Sequence, residues 1–364
     1  MHIAVTGTRG IPGIPGGVET HCAELYPRIV EQGMKVTIVR RKCYVGPENK
    51  ATTYKGVNLI DVYAPRRKSL EAIVHTFLAV VKAKCLHADV VHIHTIGPSL
   101  MAPLARLLRM KVVCTHHGSD YNRDKWGRMA KWALHAGEWC MARFAHHIIV
   151  INAQGAATLS SLYGRTHDVT LIYNGVSRPS GSHGPAVHLQ QWGLEPQGYV
   201  LAVARFVPEK RLHLLVEAFT RCNHGNIKLV LAGDADHNDS YSARLKAMAR
   251  RAGVVLTGFV TGQPLDELWA GARLFVLPSA HEGLPISLLE AMSWSRDVLV
   301  SDIAANRLPE LSDDDFFAVD SVDALAQALS RKLAVPAPTR HYDLTAYDWD
   351  RVAAATAQVY RHLS

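Results

Sequence analysis

Apolar residues along this chain fall into two alternating rhythms. Short continuous runs, among them His2 to Thr6, Val36 to Arg40, Val57 to Val62, Val90 to His94, Val112 to His116, Ile148 to Ile151 and Val169 to Tyr173, read as buried strands. Between them lie stretches with apolar positions three and four apart: Val18 to Gln32, Leu70 to Leu86, Ser99 to Leu108, about Arg128 to Ala145 and Ala153 to Tyr163. Strands that alternate with helices predict a mostly parallel, doubly wound α/β sheet and set antiparallel all-β folds aside. The rhythm breaks at Ser177 to Pro185, rich in Ser, Gly and Pro, which reads as a linker. A second α/β series follows: Tyr199 to Ala204, a helix from Glu209, Lys228 to Ala232, a helix through Arg244 to Ala252, Val254 to Leu256, Leu274 to Leu277, Val298 to Val300 and a helix from Val322. Trp349 to Leu363 closes the chain with helical spacing.

The length of 364 residues suits two domains, and 48% hydrophobic with 20% charged residues suits globular ones. No apolar run reaches the ~18 residues of a membrane span, and Met1 leads straight into a strand without a signal-peptide pattern, so a cytoplasmic protein is expected. Six scattered cysteines without a C-x-x-C pair imply reduced thiols. Among 20 histidines, the pairs His92/His94, His116/His117 and His146/His147 lack metal-site spacing. Charge is uneven: residues 1 to 180 hold 23 Lys and Arg against 11 Asp and Glu, residues 181 to 364 hold 17 against 21. The first half therefore faces something anionic. No nucleic-acid motif appears. Arg66-Arg67-Lys68, the Arg106 to Lys111 segment, and Arg123, Lys125, Arg128 and Lys131 suit an anionic membrane leaflet or a lipid diphosphate; solvated basic faces are the plainer alternative.

Two loops carry candidate chemistry. Leu274 to Pro278 reads as a strand, His281 to Leu284 as a loop, and Pro285 to Ser293 as a helix with Pro at its first position, where a missing N–H costs nothing. Such a helix start offers N–H donors to an anion, and Glu282 and Glu290 border the same cleft. The first strand runs into a glycine-rich turn from Gly7 to Gly17 that opens a helix, a form that lets backbone approach phosphate. It is not G-x-G-x-x-G, and Arg40-Arg41-Lys42 stands where a dinucleotide site needs an acid, so a dehydrogenase is disfavoured.

The Glu282-x7-Glu290 spacing resembles the signature of retaining GT-B glycosyltransferases, especially family 4. The likeness continues through Gly7-Thr8-Arg9-Gly10-Ile11-Pro12, Gly16-Gly17 and Glu19-Thr20, a form found in bacterial polysaccharide and rhamnosyltransferase-like members. His94 to Pro98, Thr115 to Asp120, Lys125-Trp126-Gly127, Tyr173 to Val176, Ala204 to Lys210 and Gly258-Phe259-Val260 extend it over almost the whole chain. The resemblance implies a GT-B fold, two Rossmann-like doubly wound domains facing across a cleft: an acceptor-side domain at 1–178, a nucleotide-sugar domain at 179–345, and a last helix at 346–364 crossing back to the first.

It also implies roles. Arg205 and Lys210 match the donor diphosphate pair, joined by the backbone of Gly16, Gly17, Gly283 and Leu284; Glu290 matches the ribose ligand, and Phe259 and Val260 the base contacts. Glu282 matches the contact to donor sugar hydroxyls and His117 the cleft histidine near the reacting carbon, with His116 its competitor. Arg9 and Asp120 are acceptor-side candidates. The family is retaining and generally metal-independent and needs no cofactor, its co-substrate being a nucleotide sugar, UDP-linked by default with GDP and dTDP open. Front-face substitution is implied, with Glu282 the rival nucleophile if displacement is double. The implied partners are that donor and a glycan or lipid-linked acceptor, with no nucleic acid and with peripheral contact at the inner membrane face. Asp234-Ala235-Asp236 has the D-x-D form of a metal site but falls where the family carries a glycine-containing loop. A nucleotide-sugar 2-epimerase and a non-catalytic nucleotide-sugar-binding protein are the competing readings.

Overall fold

A computed structural model describes residues 1–66, 70–119, 121, 127–179, 186–235 and 239–363. Asp120, Asp236, Arg67, Lys68, Arg123, Lys125 and Trp126 lie outside the described residues, as do linker residues 180–185. The chain divides into two compact units, Met1–Gly175 together with Ala346–Ser364, and Val176–Thr345.

In the first unit the elements run β1 (His2–Thr6), α1 (Gly17–Glu31), β2 (Lys35–Arg41), β3 (Thr53–Tyr54), β4 (Val57–Val62), α2 (Glu71–Cys85), β5 (Val90–His94), α3 (Ala102–Leu107), β6 (Lys111–His116), α4 (Arg128–Phe144), β7 (His147–Val150), α5 (Ala153–Tyr163) and β8 (Val169–Leu171). The sheet order is β3-β4-β2-β1-β5-β6-β7-β8, parallel except for the short β3–β4 pair. Ile3 pairs with Val36 on one side and Val90 on the other, so β1 and β5 flank the point where strand order reverses. Strands buried on both faces are filled mostly by β-branched and other apolar residues, which is why the runs read as continuous, with His92 and His94 of β5 as buried polar exceptions. The expected helix over Ser99 to Leu108 is a 3-10 turn, Pro98–Met101, followed by the six-residue α3, because Pro103 in its first turn cannot donate back to the preceding turn.

The second unit holds α6 (Val187–Gln191), β9 (Tyr199–Val203), α7 (Leu212–Arg221), β10 (Lys228–Ala232), α8 (Ser240–Arg251), β11 (Val255–Gly258), α9 (Gln263–Gly271), β12 (Leu274–Leu277), α10 (Ile286–Ser293), β13 (Asp297–Ser301), β14 (Phe316–Phe317) and α11 (Val322–Leu333). Its all-parallel sheet is ordered β11-β10-β9-β12-β13-β14, reversing between β9 and β12. Pro285 sits at the N-cap of α10 with extended backbone, one position before the place expected for it.

The last helix, α12 (Trp349–Arg361), belongs to the first unit and packs along α1. Trp349 explains a glycine: a Cβ on Gly175 would lie 2.3 Å from the indole. Asp348 caps α12 by accepting from the N–H groups of Asp350 and Arg351.

Candidate active site

Ligands of doubly wound sheets bind beyond the strand carboxyl ends, at the point where strand order reverses. Both units place polar loops there. In the first, the loop after β1 lies on the end of β5 so closely that a Cβ on Gly7 would stand 2.1 Å from the His94 carbonyl oxygen. The loop ends at Gly16, the N-cap of α1, whose φ of 146° favours glycine and whose missing Cβ leaves room for Glu19 and Arg9. Gly17 opens α1 with free space around it.

Inside this loop the buried Glu19 carboxylate accepts from the Arg9 N–H at 2.9 Å and from Thr8 Oγ1 at 3.1 Å, and pairs with the Arg9 guanidinium at 3.3 Å. Burial pushes the Glu19 carboxyl up, but the charge and hydrogen bonds of Arg9 outweigh it and hold the group below the usual range. Arg9 also donates to the Pro15 carbonyl and lies over the Tyr44 ring. Its guanidinium thus braces the loop from inside, a use that its place in the sequence motif does not show.

His116 and His117 follow one another on β6 and the loop beyond, and strand alternation turns them opposite ways. Fully buried His116 accepts from the Gly118 N–H at Nδ1 and donates from Nε2 to Glu138 on α4 at 2.8 Å. His117 points instead into a histidine cluster, with Nε2 2.9 Å from His94 Nδ1. The second nitrogen of His94 lies 2.6 Å from the Tyr26 hydroxyl, which also reaches His92 Nδ1 at 3.0 Å; Tyr360 of α12 meets the same nitrogen at 2.6 Å, and Thr115 Oγ1 lies 2.7 Å from His92 Nε2. His21 packs edge-on against His117 and is held through Nδ1 by Asn174 Oδ1 at 3.1 Å. Burial lowers His21 to about 4 and His92 to about 3, and it takes His94 and His117 well below the ordinary histidine value, with neighbouring imidazoles adding to the shift in the last three. All four are neutral at pH 7, so His117 offers a hydrogen bond rather than a charge.

His21, Tyr26 and Tyr360 did not stand out in the sequence, and His92 did so only as half of the His92/His94 pair. His94 was visible at the head of the His94 to Pro98 motif, and the pairing of β5 with β6, which sets it opposite Thr115, places it in the cluster. Among the described residues, His21, His94 and His117 are the one set whose ligand atoms lie within 4.8 Å of one another, and they could hold a metal ion. Such an ion would have to displace the direct His94–His117 hydrogen bond.

In the second unit, the loop after β9 carries Arg205 and turns through a 3-10 segment, Pro208–Lys210. It is tied to the neighbouring loop ends by Phe206 N–H to the Asp234 carbonyl at 3.0 Å and Ala280 N–H to the Glu209 carbonyl at 2.9 Å. The second contact brings the loops after β9 and β12 together, and Lys210 Nζ stands 2.5 Å from Glu282 Oε1. Both side chains are largely buried, 18% and 8% exposed. Leu284 is buried beside half-buried Gly283, and α10 then presents its N-terminus while carrying Glu290 half-buried on its second turn. Phe259, 50% exposed, and Val260 follow β11 directly. The arrangement puts two cations, two carboxylates and a helix N-terminus at one reversal point, a set suited to a phosphate with an attached polyol. Asp234 is engaged elsewhere, paired with Lys246 at 2.6 Å and accepting from the Ala235 N–H.

Two Rossmann-like units with their polar loops at the strand carboxyl ends form the architecture of a GT-B glycosyltransferase. The profile described as Glycosyltransferase Family 4 matches residues 15–178, and the one described as Glycosyl transferases group 1 matches residues 197–334. The chain belongs to glycosyltransferase family 4 and is a transferase. An uncharacterised glycosyltransferase of Methanocaldococcus jannaschii is 25% identical over 99% of this chain and 98% of its own. O-antigen chain mannosyltransferase B of Escherichia coli is 32% identical over 40% of this chain and 39% of its own. The crystal structure of Anabaena HepE in complex with UDP and glucose superposes with a TM-score of 0.79 at 18% identity, covering all of both chains, and so shares the fold.

Proposed function

We propose that the protein moves a sugar, with retention at the anomeric carbon and without a metal or cofactor, from a UDP-sugar to a lipid-linked or polysaccharide acceptor of a cell-surface glycan, working at the inner face of the membrane. The observation that carries this reading is the convergence of Arg205, Lys210, Glu282 and the α10 N-terminus where β9 and β12 diverge. Arg205 and Lys210 neutralise the diphosphate, Glu290 holds the ribose, Glu282 a sugar hydroxyl, and Phe259 and Val260 border the base. HepE, solved with UDP and glucose, supports the choice of donor, and the O-antigen mannosyltransferase supports a polysaccharide acceptor.

In the reaction the acceptor oxygen forms a bond to the anomeric carbon on the face from which the diphosphate leaves. The bond from that carbon to the phosphate oxygen breaks, and the acceptor proton passes to the departing phosphate. The largest demand on the site is to stabilise this leaving charge, which suits fixed cations and helix N–H groups. Neutral His117 hydrogen-bonds the sugar without competing for the proton. The test is transfer from UDP-, GDP- and dTDP-sugars to a polyprenyl-diphosphate sugar, with and without EDTA, with the product anomer read by NMR. Transfer with retained configuration that EDTA leaves intact supports the proposal. Inversion, EDTA sensitivity, or release of an epimerised free sugar overturns it.

A further inference from the structure

Helix α4 buries Cys140, Met141 and Ala142 on its inner side but carries further large apolar residues on its outer one. Its exposed positions are Arg128, Met129, Trp132, His135, Trp139 and Arg143, and at 100° per residue they fall within an arc of about 120°. Met129 is 88% exposed, Trp132 74% and Trp139 51%. The helix's one acid, Glu138, faces the other way and is fully buried against His116. On α3, which packs on α4, Leu107 is 79% exposed and its neighbours Arg106 and Arg109 are exposed too.

Isolated exposed apolar residues need no explanation, but a stripe of two tryptophans and a methionine interleaved only with cationic or imidazole side chains does. Tryptophan has an apolar body and one polar N–H, the profile of a residue that rests at a bilayer's headgroup level, and arginines beside it complement anionic lipid. A two-fold contact between copies would set the same basic stripe against itself, which like charges oppose. Seventeen residues of helix, roughly 25 Å, lie along a surface, and among the described residues no helix is long and apolar enough to cross a membrane.

We propose that the outer stripe of α4, with Leu107 beside it, is the surface by which this protein docks on an anionic lipid bilayer. The inference rests on the lipid-linked acceptor of the proposed function, and it gives that acceptor a route. The inner side of the same helix holds Glu138 on His116, next in sequence to His117, so a headgroup rising from the bilayer meets the helix that supports the site.

Flotation of the full chain with phosphatidylcholine vesicles, with and without phosphatidylglycerol, tests the proposal. The protein is expected to float with the anionic vesicles, less so at raised salt, and quenching by bromine-labelled lipid should report tryptophan insertion. Trp132→Ser with Trp139→Ser, and separately Arg128→Glu with Arg143→Glu, should each weaken partitioning roughly tenfold or more, with circular dichroism and the thermal shift by UDP unchanged. Equal partitioning of either variant, no preference for the anionic vesicles, or a wild-type dimer that the serine pair dissolves would overturn it. Transfer to a water-soluble acceptor separates the two claims: vesicle binding without any transfer sinks the enzymatic reading, and transfer without vesicle binding sinks the docking surface.

Discussion

The ammonium of Lys210 and the carboxylate of Glu282 form a 2.5 Å ion pair that joins the loops after β9 and β12. One of these groups belongs to the diphosphate and the other to the sugar in the proposed donor complex, so the donor has to compete with Glu282 for the lysine. Glu282→Gln removes that competitor. The substitution is expected to tighten binding of UDP alone several-fold while lowering transfer by about 10²-fold, since the sugar loses a charged acceptor. Lys210→Ala should abolish the thermal shift by UDP. Calorimetric titration beside a transfer assay checks both, and E282Q binding UDP more weakly than wild type would refute the competition.

His94 holds His117 through Nδ1 and Tyr26 through Nε2, and these two contacts can be separated by shape. The amide of Asn reaches about as far as Nδ1, and that of Gln about as far as Nε2. If His94 acts by orienting His117, His94→Asn keeps more transfer than His94→Gln, each at unchanged affinity for UDP. Removing the imidazole in His117→Ala should cost about 10²-fold in kcat. Equal loss in the two His94 variants would make the buried network a matter of packing alone.

Much of this was legible because apolar rhythm and loop chemistry are local. The runs ending at Thr6, His94 and Leu277 are strands because their residues pack on both faces, and Gly16, Lys210 and Glu282 sit where strand, loop and helix succeed one another in sequence. What could not be read were relations between distant segments. That Lys210 meets Glu282, that Arg9 turns inward to Glu19, and that Tyr360 from the last helix reaches His92 depend on strand order and packing, which no local spacing encodes. The outward face of α4 was hidden for a related reason: periodicity marks an apolar stripe without saying which side of it is covered.

The depressed histidines make stability fall in acid. His21 titrates near 4 in the native state and at about 6.5 unfolded, and His92 near 3. Between these values the unfolded chain binds protons that the native one does not, so stability rises with pH through the window and is fully restored above about 6.5. Each buried histidine contributes about 1.4 kcal/mol per pH unit there. The melting temperature should therefore drop steeply from pH 7 to pH 5, with proton uptake on unfolding, and His92→Gln should flatten the slope. A melting temperature independent of pH across that range would show that the cluster is hydrated and its histidines titrate normally.

Gly175 and Trp349 couple the end of the first unit's main segment to its returning helix. Trp349 is 3% exposed and packs edge-on against His21, so its indole supports the histidine cluster through that residue. A methyl group at position 175 would overlap the ring by more than an ångström, and the indole is itself buried, in an interior where packing is close. Gly175→Ala is expected to destabilise the protein by about 1–3 kcal/mol. Because the displaced ring leans on His21, the same substitution should lower transfer while sparing affinity for UDP, whose proposed site lies in the other unit. Trp349→Phe in the Gly175→Ala background shortens the ring system and should recover part of both losses. Denaturant unfolding and transfer kinetics on the single and double variants decide it: no recovery in the double variant would mean that the glycine serves backbone geometry and not the indole.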